Sequence, residues 1–147
     1  MLKPTSTVKS FEDYASPVFI PFIKGQLQNV KRLDAVFDEF IPNSLKATTR
    51  SKRGKGVRRR VQSLTLVPAN GKEFLRVDAN KREMFRFLAE HIPLVDFGHY
   101  KEVIITKGQQ VLCSPSSCGT QGLALYNHEE VDTRMLVHVA SAAQAGY

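Results

Sequence analysis

The stretch Arg32-Leu-Asp-Ala-Val-Phe-Asp38 holds a short apolar run that ends in an acid, and it predicts a buried β-strand ending at Asp38. A second run, Glu102-Val-Ile-Ile-Thr106, predicts a central strand. Helical patterns lie before, between and after these two strands. Strands that alternate with helices are typical of an α/β fold with a parallel sheet.

The first helical pattern covers residues 10–30, where apolar residues recur every three or four positions. Ser10 and Asp13 resemble a capping arrangement at its start. Pro17 and Pro21 lie inside the pattern and predict a kink or a break, because proline removes a backbone hydrogen bond from a helix.

Two further helices are expected around the second strand. Asn80 and Glu83 predict the start of one, which Pro93 ends. The other is predicted for residues 127–145, and its apolar side comprises Val131, Met135, Val139 and Ala143. Residues 61–77 are expected to form short strands or irregular structure.

Length and composition limit the class of protein. The chain has 147 residues, which suffices for one domain, and 42% of them are hydrophobic. No run approaches 18 consecutive apolar residues, so the sequence predicts no membrane span. Two cysteines without a zinc-site spacing predict ordinary thiols in a reducing intracellular compartment rather than a disulfide scaffold.

The positive charge is concentrated in one segment. Residues 46–60 hold eight basic residues and no acid, whereas the other 132 residues carry a net charge of −1. We call residues 46–60 the basic segment. Such a segment binds phosphate backbones by releasing counterions, and it is equally typical of a solvated loop or a nuclear localisation signal. On charge alone, a nucleic-acid partner, a nuclear localisation signal and a solvated loop therefore all remain open.

Acidic side chains occur at two notable places. Asp38 follows a predicted strand, and ligand sites of open α/β sheets form at the carboxyl ends of strands. Glu129, Glu130 and Asp132 crowd the first turn of the last helix, where a cation such as Mg²⁺ would relieve their repulsion. Acids in a first turn also complement the helix dipole, and Asp38 is suited to capping a turn, so both interpretations remain open.

Two short motifs resemble the flap endonuclease branch of the PIN-like nucleases. The first is Val36-Phe-Asp38, then Pro42, Leu45-Lys46 and the run from Arg50 to Arg53. In that family the aspartate is a metal-site carboxylate, and a lysine and an arginine project from a helix toward the scissile phosphate. The resemblance implies that Asp38 binds metal and that Lys46 and Arg53 are catalytic, with Arg50 as the alternative to Arg53.

The second motif, residues 127–134, resembles the family's later helix start, which supplies two metal-site acids. The implied metal ligands are Glu130 and Asp132, with Glu129 as a neighbouring acid, and the implied cofactor is Mg²⁺ or Mn²⁺. The implied fold is a single Rossmann-like (PIN-like) domain spanning residues 1–147. It is a three-layer α/β domain with a central, mainly parallel sheet.

Residues 44–60 read S-L-K-A-T-T-R-S-K-R-G-K-G-V-R-R-R, and residues 128–138 read H-E-E-V-D-T-R-M-L-V-H. Both runs resemble those of a group of metazoan proteins often found near mobile elements, and the likeness extends from about Thr5 to Tyr147. The family's first strand and its D-x-D strand have no counterpart here, so we expect a fragment truncated at both ends.

These resemblances imply that the intact domain is a Mg²⁺-dependent phosphodiesterase acting on DNA or RNA, and that this fragment is inactive. The residues expected to contact the nucleic-acid backbone are Arg50, Lys52, Lys55, Arg58, Arg59 and Arg60. The alternatives are a nucleic-acid-binding module without catalysis and a mobile-element remnant with a localisation signal.

Overall fold

The structure is a computed structural model that describes residue 2 and residues 7–37, 56–120, 122–123 and 131–147. In these residues the fold is α/β, with a three-stranded sheet in the order β1-β2-β3. The strands are β1 Arg32–Ala35, β2 Glu102–Lys107 and β3 Gln110–Ser114. β1 and β2 are parallel, whereas β2 and β3 form an antiparallel hairpin. The α/β class is confirmed, but the described sheet is mixed rather than mainly parallel.

Five α-helical segments occur in the described residues: α1 Phe11–Tyr14, α2 Ile20–Gln26, α3 Gly71–Phe74, α4 Asp78–His91 and α5 Val131–Gln144. A π-helical stretch, Ala15–Phe19, joins α1 to α2, and a 3-10 turn, Ile92–Leu94, follows α4. Within the described ranges, no helix is both long and apolar enough to cross a membrane.

The first helix begins with the predicted capping box. The Ser10 hydroxyl accepts from the backbone N–H of Asp13, and the Asp13 carboxylate accepts from the backbone N–H of Ser10. The predicted irregularity is the π-helical stretch, which contains Pro17, while Pro21 lies in the first turn of α2. A proline lacks the N–H that a regular turn requires, and π-bulges are one way in which a helix accommodates this.

The hydrophobic core lies on one face of the sheet, between β2 and the helices α1, α2 and α4. Val103 and Ile105 of β2 belong to it and are fully buried. Ile104 is also fully buried but points to the opposite face, because successive side chains of a strand alternate. The prediction of a buried central strand at residues 102–106 is thus confirmed.

Helix α5 covers this opposite face, and the side it buries is not the predicted one. Met135 and Val139, on the predicted apolar side, are 47% and 65% exposed. Arg134 and His138 are buried instead, because their side chains find polar partners on the sheet. The predicted start of this helix before residue 131 lies outside the described residues.

Irregular structure, one of the two alternatives expected for residues 61–77, is what most of this stretch forms. It contains no strand apart from one bridge between Ser10 and Leu66, and Asn70 caps the short helix α3. The expected helix start at Asn80 is wrong, because Asn80 lies inside α4, which begins at Asp78. The Asn80 side chain is completely buried because it bonds to backbone groups far away in the sequence.

Candidate metal and phosphate site

The carboxyl ends of the parallel strands β1 and β2 meet at one edge of the sheet, which we call the carboxyl edge. Two residues after β1, the backbone N–H of Phe37 donates to the Thr106 hydroxyl at 2.7 Å. The Phe37 ring stacks on Phe85 of α4, with 4.3 Å between the ring centroids. These two interactions hold the end of β1 against β2 and α4. Asp38 follows Phe37 in the sequence and lies outside the described residues.

Helix α5 runs antiparallel to β1. Nδ1 of His138 lies 2.6 Å from Oδ1 of Asp34, and the Arg32 guanidinium donates to the Ser141 hydroxyl at 3.3 Å. Residues later in β1 therefore lie beside residues earlier in α5. Arg134, near the start of α5, donates to the carbonyl oxygen of Gly108 in the β2–β3 turn.

This orientation brings the start of α5 to the carboxyl edge. From Asp34 to Phe37 a strand advances about 10 Å, and from His138 back to Asp132 a helix rises about 9 Å. Asp132 and Phe37 therefore lie at about the same level along the sheet. The side chain of Asp132 is exposed, and a carboxylate open to solvent at a strand edge is a suitable oxygen ligand for Mg²⁺.

The contact between α5 and β1 is ionic. Arg32 makes two hydrogen bonds to Asp34, at 2.7 and 2.9 Å, and His138 approaches the same carboxylate from the helix. Burial alone would raise the pKa of Asp34, but the hydrogen bonds from His138 and Arg32 outweigh it and hold the pKa below its ordinary value. The sequence interpretation of His138 as a core or surface residue is consistent with its burial at 2% exposure.

Most of the expected site residues lie outside the described residues. These are Asp38, Glu129 and Glu130 among the acids, and Lys46, Arg50, Lys52, Arg53 and Lys55 among the bases. Within the described ranges, no three His, Cys, Asp or Glu side chains are grouped so that they could hold a metal ion.

No protein family, curated protein or solved structure matches the chain. The geometry of the site and the sequence motifs therefore provide the basis for a functional proposal.

The end of the basic segment is anchored to α4 through Asn80. The backbone N–H of Arg59 and the guanidinium of Arg58 donate to Oδ1 of Asn80, at 2.9 and 3.1 Å. Nδ2 of Asn80 donates to the carbonyl oxygens of Val57 at 2.9 Å and Phe74 at 3.1 Å. The backbone at residues 57–59 is thus held by one buried amide.

Glu83 balances part of the positive charge at this anchor. It pairs with the Arg58 guanidinium, lies 4.0 Å from that of Arg60 and accepts from the backbone N–H of Val61. Burial would raise the pKa of Glu83, but the Arg58 hydrogen bond and the Val61 N–H lower it overall. Arg59 is exposed and the Arg60 side chain is 80% exposed, so both guanidinium groups are accessible to a phosphate backbone.

Sequence reasoning did not identify Arg32, Asp34, Asn80 and Glu83 in these roles. Asp34 is an acid inside an otherwise apolar strand pattern. Because a buried carboxylate requires a partner, its position in the sequence already indicates that a polar or basic side chain must pack against this strand. Three of the four partners of Asn80, at residues 57–59, are more than twenty residues away in the chain, and no spacing rule points to them.

Proposed function

We propose that this chain is a nucleic-acid-binding α/β domain with a divalent-metal site at its carboxyl edge, and that the intact domain is a metal-dependent phosphodiesterase. Asp38, Glu130 and Asp132 supply the carboxylates. Lys46 and Arg53 orient the scissile phosphate, and the rest of the basic segment binds the nucleic-acid backbone.

The observation that supports this proposal is the antiparallel packing of α5 on β1. It brings the start of α5, with Asp132, to the level of Phe37, which directly precedes Asp38 in the sequence. The two acidic motifs are more than 90 residues apart in the chain. Acids from two distant motifs at one strand edge are the arrangement that a shared metal ion requires.

The chemistry follows from the residue types. A bound Mg²⁺ lowers the pKa of a coordinated water and stabilises the charge on the leaving oxygen. The carboxylates Asp38, Glu130 and Asp132 are hard oxygen donors that suit this ion. Lys46 and Arg53 remain charged at physiological pH and neutralise the phosphate while it is attacked. Exposed arginines such as Arg59 and Arg60 hold the backbone without reading the base sequence.

A second function, nucleic-acid binding without cleavage, is favoured by the exposure of Arg59 and Arg60. It requires the basic segment but no metal. Both functions predict binding that weakens with salt, and only the first predicts a response to Mg²⁺ or Mn²⁺. Dependence on the metal therefore separates them.

The test for binding uses fluorescence anisotropy with labelled single-stranded and double-stranded DNA and RNA at several salt concentrations. Replacing Arg59 and Arg60 by Gln should reduce the slope of log K against log salt by about 0.9 for each phosphate that the variant no longer neutralises. The matched control is Lys24→Gln, an exposed cation in the last turn of α2. If the double variant binds as tightly as the unmodified chain, the basic segment is not the interface.

The test for the metal site compares Mg²⁺ or Mn²⁺ with a chelator in the same assay. The metal should tighten binding to the unmodified chain but not to Asp132→Asn. The control Asp96→Asn removes an exposed acid before β2, at the opposite end of the sheet. If the metal does not change the binding, the second function, nucleic-acid binding without cleavage, is the one supported.

We expect little or no cleavage of nucleic acid by this chain. Strong cleavage that Asp38→Asn abolishes would contradict that expectation.

A further inference from the structure

The two cysteines of the chain lie together at the end of β3. Cys113 is in the strand, Cys118 is in the loop that follows, and both are free thiols. Both sulfur atoms donate to the carbonyl oxygen of Pro115, at 3.2 Å from Cys113 and 2.7 Å from Cys118. Two sulfurs that share one acceptor at these distances are at most about 6 Å apart, so the two thiols are neighbours in space.

The loop itself holds the second sulfur close to the first. The backbone N–H of Cys118 donates to the same Pro115 oxygen at 3.1 Å, so residues 115–118 form a tight turn. The Ser114 hydroxyl donates to the carbonyl oxygen of Val95 at 2.7 Å and fixes the start of that turn. The proximity of the two thiols is therefore a property of the backbone and not only of two side-chain rotamers.

The two thiols differ in environment. Cys118 is 8% exposed, while Cys113 is partly exposed. Burial, followed by the hydrogen bond and the charge of Cys113, raises the pKa of Cys118 to about 12. Cys118 is therefore protonated at neutral pH, and Cys113 is the thiol that an incoming reagent meets first.

We propose that Cys113 and Cys118 are a redox-active pair that closes to an intramolecular disulfide by exchange with a low-molecular-weight disulfide such as oxidised glutathione. A bound metal is a poorer assignment for this pair, because no third His, Cys, Asp or Glu joins it among the described residues. This proposal does not depend on the proposed function.

The exchange proceeds in two balanced steps. The Cys113 thiolate attacks one sulfur of oxidised glutathione, the glutathione S–S bond breaks, and one glutathione thiolate leaves. Cys118 then gives its proton to that thiolate or to solvent and attacks the Cys113 sulfur, which releases the second glutathione. The protein loses two protons and two electrons, which together are two hydrogen atoms, and oxidised glutathione becomes two reduced molecules.

The loop that the disulfide would close lies beside a cavity of about 820 Å³. Neither cysteine lines this cavity, but Ser114 and Pro115, which lie between them in the sequence, line it together with Glu102 and Tyr147.

The experiment equilibrates the full chain with mixtures of reduced and oxidised glutathione, quenches with acid and measures intact mass and free thiols. The expected result is a single transition in which both thiols disappear together, with the loss of two hydrogens per chain and no dimer. Cys118→Ala should instead accumulate one glutathione adduct at Cys113. Cys113→Ala should be alkylated about tenfold more slowly than Cys118→Ala, because its remaining thiol is buried.

Three outcomes would overturn the proposal. They are two independent glutathione adducts, a disulfide between two chains on a non-reducing gel, and thiols that stay reduced in excess oxidised glutathione. Peptide mapping of the unmodified oxidised chain identifies the bond directly, so the result does not depend on the folding of either variant.

Discussion

A single buried amide organises the boundary between α4 and the basic segment. Asn80 donates twice and accepts twice, and its four partners belong to Val57, Arg58, Arg59 and Phe74. The amide can donate and accept simultaneously, which an acid or an apolar side chain of similar size cannot do. This explains why a polar residue occupies a fully buried position of α4.

Replacing Asn80 by Ala should destabilise the chain by about 3 kcal/mol, because it leaves the buried carbonyl oxygen of Phe74 and the half-buried backbone groups of Val57 and Arg59 without their partner. Urea denaturation followed by circular dichroism measures this change in stability. The control is Asn70→Ala, which removes the exposed cap of α3 and should cost about 1 kcal/mol. Equal destabilisation of the two variants would contradict the structural role assigned to Asn80.

Glu83 limits the positive potential at the same place, because it lies between Arg58 and Arg60. Glu83→Gln should tighten nucleic-acid binding and steepen its dependence on salt by about one unit of slope. Fluorescence anisotropy at several salt concentrations measures both quantities. The control is Glu90→Gln, which removes an exposed acid paired with Lys107 on the far part of α4. A Glu83→Gln variant with unchanged affinity would argue against binding at Arg58–Arg60.

At the scale of elements, the packing of α5 on β1 depends on polar groups. Arg32, Asp34 and His138 form the contact, while the apolar residues Met135 and Val139 face solvent. Helical periodicity identified the helix correctly from its spacing. It chose the wrong buried side, because hydrophobicity cannot indicate that the Asp34 carboxylate pairs with His138 and that the carbonyl oxygens of Gly108 and Gln110 accept from Arg134.

The low pKa of Asp34 has a consequence for stability. A carboxyl group whose pKa is lower in the folded state contributes stability that is complete above its unfolded pKa of about 3.9 and is lost as the pH falls through the folded value. Asp34→Asn should therefore be less stable than the unmodified chain by about 3 kcal/mol at neutral pH, because it leaves Arg32 and His138 without their partner. The difference should shrink as the pH falls below about 4.

Urea unfolding, measured from about pH 7 to about pH 2 in steps of about one pH unit, tests how the stability difference depends on pH. Glu90→Gln serves as the control, since it removes a carboxylate whose side chain is 54% exposed, and it should follow the unmodified chain. A constant difference between Asp34→Asn and the unmodified chain at every pH would show that the ionised carboxylate is not what joins α5 to β1.

The accuracy of the sequence predictions varied with the range of the interactions involved. The Ser10 capping box and the buried strand at residues 102–106 depend on neighbouring residues, and both are confirmed. The break expected at Pro17 takes the form of a π-helical stretch between two α-helical segments. The antiparallel placement of β3 depends on the tight turn at Gly108, which has a positive φ of 59°. Alternation of strands and helices does not distinguish that hairpin from a further parallel strand.

At the scale of the whole molecule, two features define the proposed function. One is the carboxyl edge, where the end of β1 and the start of α5 reach the same level. The other is the basic segment, whose end is anchored to α4 through Arg58 and the Arg59 backbone, with the Arg59 and Arg60 side chains exposed. For cleavage to occur, a nucleic-acid backbone bound by the basic segment would need to pass the carboxyl edge.

The most direct measurement is a titration of the ¹⁵N-labelled chain with Mn²⁺, read as paramagnetic broadening of backbone amide signals. A single ion held between the two acidic motifs should broaden the amides of Val36 and Phe37 together with those of residues 132–134. Asp132→Asn should abolish both effects, and Asp96→Asn should preserve them. Broadening confined to one of the two segments, or absent from both, would contradict a shared metal site at the carboxyl edge.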